Sequence, residues 1–353
     1  MLVTVPLAGG LSASDWARRH AAGEVPDRSP YGLHRLTDRG VDVRFASAGF
    51  GPGRSGRAAA RLARAVRHRT DGYEIVEAAA DHFRGRGADA VLAYDERTGV
   101  PALLDGGAPV AAGIGWLTTR AAAGRVHGAL AARTLPRAAA VWAQCSAVLP
   151  LMDSDWGVAR SRLHFIPLGI DTDFYTEQPL PAEPGLVMSA GEDRFRDHGL
   201  LIRAVSAVRD RRPEVRLELA SGLPFQAPEG LVTLHTERLN GRIRDVYRRA
   251  SVAAVALHPT VTGSGLTVVL EAMASGRPVV VTANPGVADY VDHGETGLLV
   301  LAGDVDAFAG ATEELLADDD RRIEMGRLAA ARVRERFTTE VMADHLARML
   351  RAM

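Results

Sequence analysis

The sequence predicts an α/β protein with two doubly wound domains that face each other across a cleft. First, short apolar runs of strand length alternate with helical patterns in both halves of the chain. Second, a length of 353 residues favours two domains, and 47% hydrophobic residues are enough to fill two cores. Third, Pro179, Pro181 and Pro184 mark a linker near the middle of the chain.

The first half contains six apolar runs that are predicted as strands. They are residues 2–7, 41–46, 88–93, 110–114, 139–143 and 163–166. Helical patterns cover residues 31–39, 57–68, 71–86 and 150–157. Together these elements predict an N-terminal Rossmann-like domain over residues 1–170, followed by a linker over residues 171–184.

The second half repeats the same alternation. Strands are predicted at residues 185–189, 215–220, 231–235, 252–257 and 278–281, with a last strand that ends at Val300. Helices are predicted at residues 199–209, 240–250, 304–317, 319–336 and 338–352. We therefore expect a C-terminal Rossmann-like domain over residues 185–336.

Composition narrows the class of partner. The 42 basic residues nearly balance the 43 acidic ones, so nothing in the charge predicts a nucleic-acid partner. The chain has no lysine, and any cationic clamp for phosphate must therefore use arginine. The alanine- and arginine-rich composition indicates a biased, bacterial genome. The composition does not specify the oligomeric state.

The single cysteine, Cys145, excludes an internal disulfide and fits a reducing cytoplasm. The sequence shows no signal peptide and no apolar run long enough to span a bilayer. We therefore expect a cytoplasmic protein.

The most informative stretch is residues 255–300, in which a helix follows Gly263-Ser264-Gly265 and ends at Gly276. This helix is apolar almost all round, except for a polar row that includes Glu271. A buried carboxylate needs a partner, and the paired hydroxyls of a sugar would supply two donors. The glycine loop leaves backbone N–H groups at a positive helix end, which suits phosphate. The stretch therefore predicts a site for a sugar nucleotide diphosphate.

Four motifs in this stretch resemble the donor-binding core of family 4 retaining glycosyltransferases, which have the GT-B fold. The motifs are the glycine-rich loop Gly263-Ser264-Gly265, the E-A-M-A segment Glu271-Ala272-Met273-Ala274, G-R-P-V-V at residues 276–280 and H-G-E-T-G-L-L-V at residues 293–300. The resemblance implies transfer of a hexosyl group from a nucleoside-diphosphate sugar to a small-molecule or glycan acceptor. It also implies retained anomeric configuration, no metal, and no cofactor besides the donor. In the resembling fold the C-terminal helix, here residues 337–353, crosses back to the first domain.

The resemblance also implies roles for individual residues. Arg194 and Arg196 replace the arginine and lysine with which the family holds the diphosphate, and His198 stands near the lysine position. Glu271 is expected to accept hydrogen bonds from the ribose. The start of the helix is assigned to donor binding: Gly263, Ser264, Gly265, Leu266 and Thr267. The alternative for the arginines is a surface loop paired to Glu192 and Asp193.

Two departures concern the transferred sugar. The family has a second glutamate eight positions before the first, where this chain has Gly263. It also often has a histidine near the fourth strand, where this chain has Gly113, Gly115 and Trp116. A non-catalytic, nucleotide-sugar-binding partner of another transferase is therefore an alternative, as is an epimerase or phosphorylase of the same fold.

Acceptor-side residues are predicted where strands of the first domain end. Gly9 and Gly10 follow the first strand, and Asp95 and Glu96 follow the third, at the sheet edge where ligands gather. Trp116 follows the fourth strand. The alternatives are a plain turn for the glycines and solvated loop carboxylates for the acids.

A basic helix over residues 57–68 places Arg54, Arg57, Arg61 and Arg64 on one face. This face could lie on an anionic membrane or steer a charged acceptor. The apolar side is mostly alanine and lacks aromatic anchors, which favours a solvated face.

Two acidic triplets, Asp153-Ser154-Asp155 and Asp171-Thr172-Asp173, mimic a metal-binding motif of another glycosyltransferase fold. They fall on a predicted helix and a linker, whereas a metal-bridging pair should end a strand beside the donor. No other cluster has metal-ligand spacing, so no metal site is predicted.

Overall fold

The computed structural model describes residues 1–47, 50, 53–82, 87–178 and 183–353, with only the backbone at residues 81 and 82. These residues form two compact units. Unit 1 contains Met1–Ala22, Asp27–Pro167 and Thr339–Met353, and unit 2 contains Gly23–Pro26 and Leu168–Thr338.

Unit 1 is built on a six-stranded parallel sheet. Its strands are β1 (Leu2–Leu7), β2 (Asp42–Ser47), β3 (Ala90–Ala93), β4 (Val110–Ile114), β5 (Ala140–Ala143) and β6 (Leu163–Phe165). They lie in the order β2-β1-β3-β4-β5-β6. Since the chain moves outward from β1 in both directions, the switch point of this sheet lies between β1 and β3.

Unit 2 repeats this plan with a second parallel sheet. Its strands are β7 (Leu186–Ala190), β8 (Arg216–Ala220), β9 (Val232–His235), β10 (Val252–Val255), β11 (Val279–Thr282) and β12 (Gly297–Val300). They lie in the order β12-β11-β10-β7-β8-β9. The switch point of this sheet is therefore between β7 and β10.

Helices cover both faces of each sheet. They are α1 (Ala13–Ala21), α2 (Arg54–Arg69), α3 (Ile75–Glu77), α4 (Glu96–Asp105), α5 (Arg125–Thr134), α6 (Leu149–Ser154), α7 (His198–Arg211), α8 (Ile243–Arg249), α9 (Leu266–Ala274), α10 (Val305–Ala317), α11 (Asp319–Arg336) and α12 (Thr339–Arg351). None of the described helices is both long enough and apolar enough to cross a bilayer. The predicted α/β class with two doubly wound domains is confirmed.

Strand residues alternate between two cores in each unit, as expected for parallel strands buried on both faces. In β3, Leu92 belongs to the same core as Leu346 of α12, whereas Val91 belongs to the core that contains Val100 of α4. The apolar helix α9 lies inside one core of unit 2, which explains why almost every position on it is hydrophobic.

The C-terminal helix α12 packs within unit 1, against the helical turns Pro30–Arg39. Arg39 Nε donates to Asp344 Oδ1 at 2.7 Å, and Arg39 Nη2 donates to the Glu340 carbonyl at 3.1 Å. These contacts tie the last helix of the chain to a segment from its first forty residues.

Several local predictions differ from the structure. The helix predicted over residues 71–86 is interrupted, because Asp71 and Gly72 have φ of 53° and 106°, and α3 begins only at Ile75; residues 83–86 lie outside the described part. The predicted loop after β3 is instead the start of α4, where Asp95 is the N-cap. The helices α1 and α5 were not predicted; α1 is short and rich in charged residues and buries none of its residues.

Candidate functional site

Two loops meet at the switch point of the second sheet. One follows β7 and covers residues 191–197, and the other follows β10 and leads into α9. The Asp197 N–H donates to the Ala256 carbonyl at 3.0 Å, and the His258 N–H donates to the Phe195 carbonyl at 2.8 Å. Ser264 Oγ donates to Asp193 Oδ1 at 2.7 Å. The fold thus joins segments about 70 residues apart in the sequence at the sheet edge where ligands bind in such folds.

Arg196 is the cationic centre of this junction. Its side chain is 6% exposed, and Nε donates to Asp193 Oδ2 at 2.7 Å. Its Nη1 atom is buried and has no hydrogen-bond partner among the described residues. Burial raises the pKa of Asp193, but the Arg196 guanidinium and the Ser264 hydroxyl outweigh this effect and hold the pKa below its ordinary value. The ionised Asp193 carboxylate therefore orients the Arg196 guanidinium. Its Nη1 group remains able to donate a hydrogen bond to a ligand.

Gly191 makes room for this arginine. A Cβ at this position would lie 2.3 Å from Arg196 Cζ, and its φ of 132° also disfavours any other residue. His198, predicted near the family's lysine position, is buried instead. Its Nε2 lies 3.0 Å from Ser221 Oγ and 3.2 Å from the Gly191 carbonyl, and burial lowers its pKa. Through these contacts, His198 anchors the loop that follows β7.

Arg194 lies apart from Arg196. It is exposed, and its guanidinium lies 4.9 Å from the centroid of the Phe195 ring. The two arginines that the sequence grouped together are therefore unequal, because Arg196 is buried and oriented by a carboxylate, whereas Arg194 is solvated.

The glycine-rich loop forms the start of α9. Gly265 is the N-cap with φ of 82°, and a Cβ there would lie 3.0 Å from Val255 Cγ1, so the loop needs glycine for both reasons. In the first helical turn the Leu266 N–H donates to the Gly263 carbonyl at 3.3 Å and the Val269 N–H to the Gly265 carbonyl at 3.0 Å, which leaves the N–H groups of Thr267 and Val268 for a ligand. The Ser264 hydroxyl is bonded to Asp193, and the Thr267 side chain is exposed. Backbone donors, more than side chains, are therefore what this loop offers to an anion.

Glu271 lies in the middle of α9 and is partly buried. Tyr175 Oη donates to its Oε1 and Tyr247 Oη to its Oε2, each at 2.8 Å. Burial raises the pKa of Glu271 to about 7, although both tyrosines favour the ionised form. The carboxylate is thus held on both oxygens, with lone pairs left over for further donors.

A cavity of about 290 Å³ opens beside this carboxylate. It is bordered by Glu271 and Tyr175, by Gly191 and Ser221 after β7 and β8, and by residues 237–240 after β9. Glu271 was predicted from the sequence to belong to this site, whereas Tyr175, Tyr247, Ser221 and residues 237–240 were not. No motif marks these positions, and only the sheet order brings them together.

The predicted acceptor-side acids have structural partners in unit 1. Asp95 accepts hydrogen bonds from the Arg97 N–H at 3.0 Å and from Arg97 Nε at 2.8 Å. Glu96 is 1% exposed and accepts from the N–H groups of Gly115 and Trp116 at 2.7 and 2.9 Å. This geometry favours structural roles for both acids over contact with an acceptor.

The other two predicted acceptor-side positions remain accessible. Gly9 and Gly10 form a left-handed turn after β1, and the Trp116 side chain is 39% exposed. At Gly113, where the family often has a nearby histidine, a Cβ would lie 2.1 Å from the Tyr94 carbonyl oxygen, so no side chain fits.

Among the residues that the structure describes, no group of three or more histidine, cysteine, aspartate or glutamate side chains is arranged to hold a metal ion. The acidic triplets have protein partners. Asp171 accepts from the N–H groups of Asp173 and Phe174, and Asp153 pairs with Arg160.

Comparison with known proteins places this site in a recognised domain. Residues 186–318 match the family model described as glycosyl transferases group 1. The D-inositol 3-phosphate glycosyltransferase of Rhodococcus erythropolis is 35% identical over 194 residues, which are 53% of this chain and 42% of that protein. A GDP-mannose-dependent α-(1-6)-phosphatidylinositol monomannoside mannosyltransferase of Mycobacterium tuberculosis is 29% identical over 223 residues, 56% of this chain and 58% of that protein. The chain thus spans about half the length of the curated relatives it matches.

Solved structures match over the whole chain. Anabaena HepE in complex with UDP-glucose has a TM-score of 0.68 at 17% identity and covers 100% of both chains. Sucrose-phosphate synthase from Thermosynechococcus elongatus has a TM-score of 0.68 at 18% identity, over 100% of this chain and 98% of that one. The chain therefore has the two-domain GT-B fold, and its second unit carries the region that is similar to group 1 glycosyl transferases.

Proposed function

We propose that the protein is a retaining glycosyltransferase that moves a sugar from a nucleoside-diphosphate sugar to a hydroxyl acceptor without a metal ion. The observation that carries this proposal is the convergence at one switch point of Arg196, the start of α9 and the Glu271 cavity. The family match over residues 186–318 covers all three features. The reducing environment expected from the single cysteine supports activity in the cytoplasm.

The nucleoside is the part of the donor that fits the cavity of about 290 Å³. Glu271 accepts hydrogen bonds from the ribose hydroxyls, while Tyr175 and Tyr247 hold the carboxylate in position. Each tyrosine occupies only one acceptor direction on its oxygen, which leaves the carboxylate able to accept two ribose donors. Glu271 binds substrate in this account and is not a nucleophile.

The diphosphate is the leaving group. As the bond from the sugar's anomeric carbon breaks, the diphosphate oxygen takes the bonding electron pair and gains negative charge. Donors that are already oriented stabilise such charge without reorganisation. The buried Nη1 of Arg196 and the first-turn N–H groups of α9 supply them, and Arg194 adds a solvated charge. The anomeric configuration is retained when the acceptor oxygen bonds to the anomeric carbon on the face that the diphosphate leaves, and the acceptor's proton passes to the departing diphosphate oxygen.

Two measurements on the full chain test the proposal. Titration calorimetry with UDP, GDP and their sugars measures donor binding, and a release assay measures nucleoside diphosphate formed with a panel of acceptors. We expect one nucleotide class to bind and its sugar to turn over. If no nucleoside diphosphate binds at about millimolar concentration, the proposal is wrong.

A non-catalytic, nucleotide-sugar-binding partner of another transferase is the second candidate, favoured by the absence of a side chain at Gly263. A Cβ there would lie 3.0 Å from Leu266 Cδ1, so a larger residue would require Leu266 to shift. Donor binding without turnover across the acceptor panel would favour this candidate over a transferase.

A further inference from the structure

One short segment near the N-terminus belongs to the unit that carries the Glu271 cavity. Gly23–Pro26 is part of unit 2, although the stretches before and after it, Met1–Ala22 and Asp27–Pro167, are parts of unit 1. Gly23 and Asp27 have φ of 72° and 54°, in the left-handed region that most residues avoid. For Asp27 this conformation is strained, and such strain is retained only where surrounding contacts hold it.

Asp27 is held in place by contacts within unit 1. Its side chain is 5% exposed, and Oδ1 accepts from Arg35 Nε at 2.9 Å and from Thr339 Oγ1 at 3.3 Å. Its carbonyl accepts from Trp16 Nε1 at 3.1 Å. The residue that follows the Gly23–Pro26 segment is therefore fixed, and Thr339, one of its partners, is the first residue of α12.

The segment itself packs against the helical turn Asn240–Arg242 of unit 2. A Cβ on Gly241 would lie 2.1 Å from the Gly23 carbonyl oxygen. Gly241 does not have a left-handed φ, so this close approach alone requires glycine at the position. Arg244 of α8 joins the two backbones, because Nη2 donates to the Gly23 carbonyl at 3.2 Å and Nε donates to the Gly241 carbonyl at 3.0 Å.

Arg244 is also connected to two borders of the cavity of about 290 Å³. Asn240, next to Gly241, lines the cavity and has φ of 50°, a conformation that needs support in any residue but glycine. On the other side, the Arg244 guanidinium lies 4.1 Å from the centroid of the Phe174 ring. That ring packs edge-on against Tyr175, whose hydroxyl donates to Glu271. One side chain thus contacts the Gly23–Pro26 segment and the supports of both borders.

We propose that Arg244 is a positioning residue for nucleotide binding, and that docking of the Gly23–Pro26 segment and binding of a nucleoside diphosphate strengthen each other. Arg244 does not line the cavity and acts through Asn240 and Tyr175. The inference rests on the proposed function, because it takes the cavity as the nucleoside site. Coupling of this kind is reciprocal, so a segment that favours the binding shape of the cavity is itself held more firmly once nucleotide binds.

Hydrogen exchange of the full chain, measured by mass spectrometry with and without UDP or GDP, tests the coupling. In the parent, the nucleotide that binds should slow exchange of the amides of residues 23–25 by at least about fivefold. Arg244→Gln should abolish this protection, and titration calorimetry should show about tenfold weaker nucleotide binding. A purely structural role of Arg244 would not make exchange at residues 23–25 depend on nucleotide.

A second variant tests the segment without changing Arg244. Gly241→Ala places a methyl group against the Gly23 carbonyl and should cause the same two losses. Arg248→Gln is the matched control, because Arg248 lies one turn further along α8 and its Nη2 donates to Thr176 Oγ1 at 3.3 Å. It should keep the protection and a nucleotide affinity within about twofold of the parent. Circular dichroism checks that each variant is folded, and Gly241→Ala decides the matter if Arg244→Gln is not.

Three outcomes would overturn the positioning role alone. They are nucleotide binding by the parent without slower exchange at residues 23–25, unchanged nucleotide affinity in both Arg244→Gln and Gly241→Ala, and equal losses in Arg244→Gln and Arg248→Gln. If the parent binds neither UDP nor GDP at about millimolar concentration, the proposed function is rejected together with this inference.

Discussion

The two sheets have the same strand pattern, yet their switch points carry different chemistry. In unit 2 the groups that are predicted to bind the donor are built into the core: Glu271 lies on the buried helix α9, and Arg196 is 6% exposed and held by Asp193. In unit 1, Arg64 of α2 lies on an exposed helix face and has no acidic partner among the described residues. Substitutions at the buried positions of unit 2 are therefore expected to cost folding stability, whereas the exposed Arg64 can be replaced with little effect on folding.

The largest expected effect separates Arg196 from Arg194. Arg196→Ala should lower kcat by about a hundredfold, and more than it weakens donor binding, because its charge acts mainly on the leaving diphosphate. Arg194→Ala is the control, with a loss of about threefold or less, since its side chain is exposed. Steady-state kinetics on both variants would make the comparison. Equal losses would show that burial does not distinguish the two arginines.

The next effect concerns the nucleoside. Glu271→Ala should weaken donor binding at least about tenfold, or about 1.4 kcal/mol, because two ribose hydroxyls lose their acceptor. Calorimetry with the preferred nucleoside diphosphate measures this change. An unchanged affinity would contradict the assignment of Glu271 to the ribose. The control is Glu96→Gln in unit 1, which should leave donor affinity unchanged.

The raised pKa of Glu271 predicts a pH dependence of stability and of donor binding. The pKa of Glu271 is about 7 in the folded protein, whereas a glutamate in the unfolded chain has its ordinary pKa of 4.5. Between these values the native state binds more protons, so this residue makes stability fall as pH rises. Thermal melts of Glu271→Gln should show a weaker fall over that window. Donor affinity of the parent should increase as Glu271 ionises near pH 7, and a flat profile would count against the ribose role.

The smallest expected effect tests a hydrogen bond that holds the Glu271 carboxylate in position. Tyr247→Phe removes one hydrogen bond to Glu271 and should weaken donor binding by about fivefold, in keeping with about 1 kcal/mol per such bond. The same change should raise the pKa of Glu271 further, because the tyrosine favours the ionised form. A shift of the pH profile to higher pH would confirm this, and a shift to lower pH would contradict it.

Most strands and buried helices were predicted from the sequence, because their apolar residues recur at regular intervals. The bounds of β1 and β4 match the prediction, and α9 follows Gly263-Ser264-Gly265 as expected. Polar helices and turns were harder to predict from the sequence. The break at Asp71 coincides with an Asp71-Gly72 dipeptide, a turn signal that the prediction of a helix over residues 71–86 overlooked.

What the sequence alone determined is the two-domain α/β plan and the position of Glu271, because a carboxylate in an apolar helix is visible in the order of residues. Tertiary structure decided what each polar group does. Tyr175 and Tyr247 lie 96 and 24 residues before Glu271, and the Ser264 hydroxyl bonds to Asp193 across 71 residues. Hydrogen bonds between such distant residues depend on the order of strands in the sheet, and that order is set by the packing of whole elements.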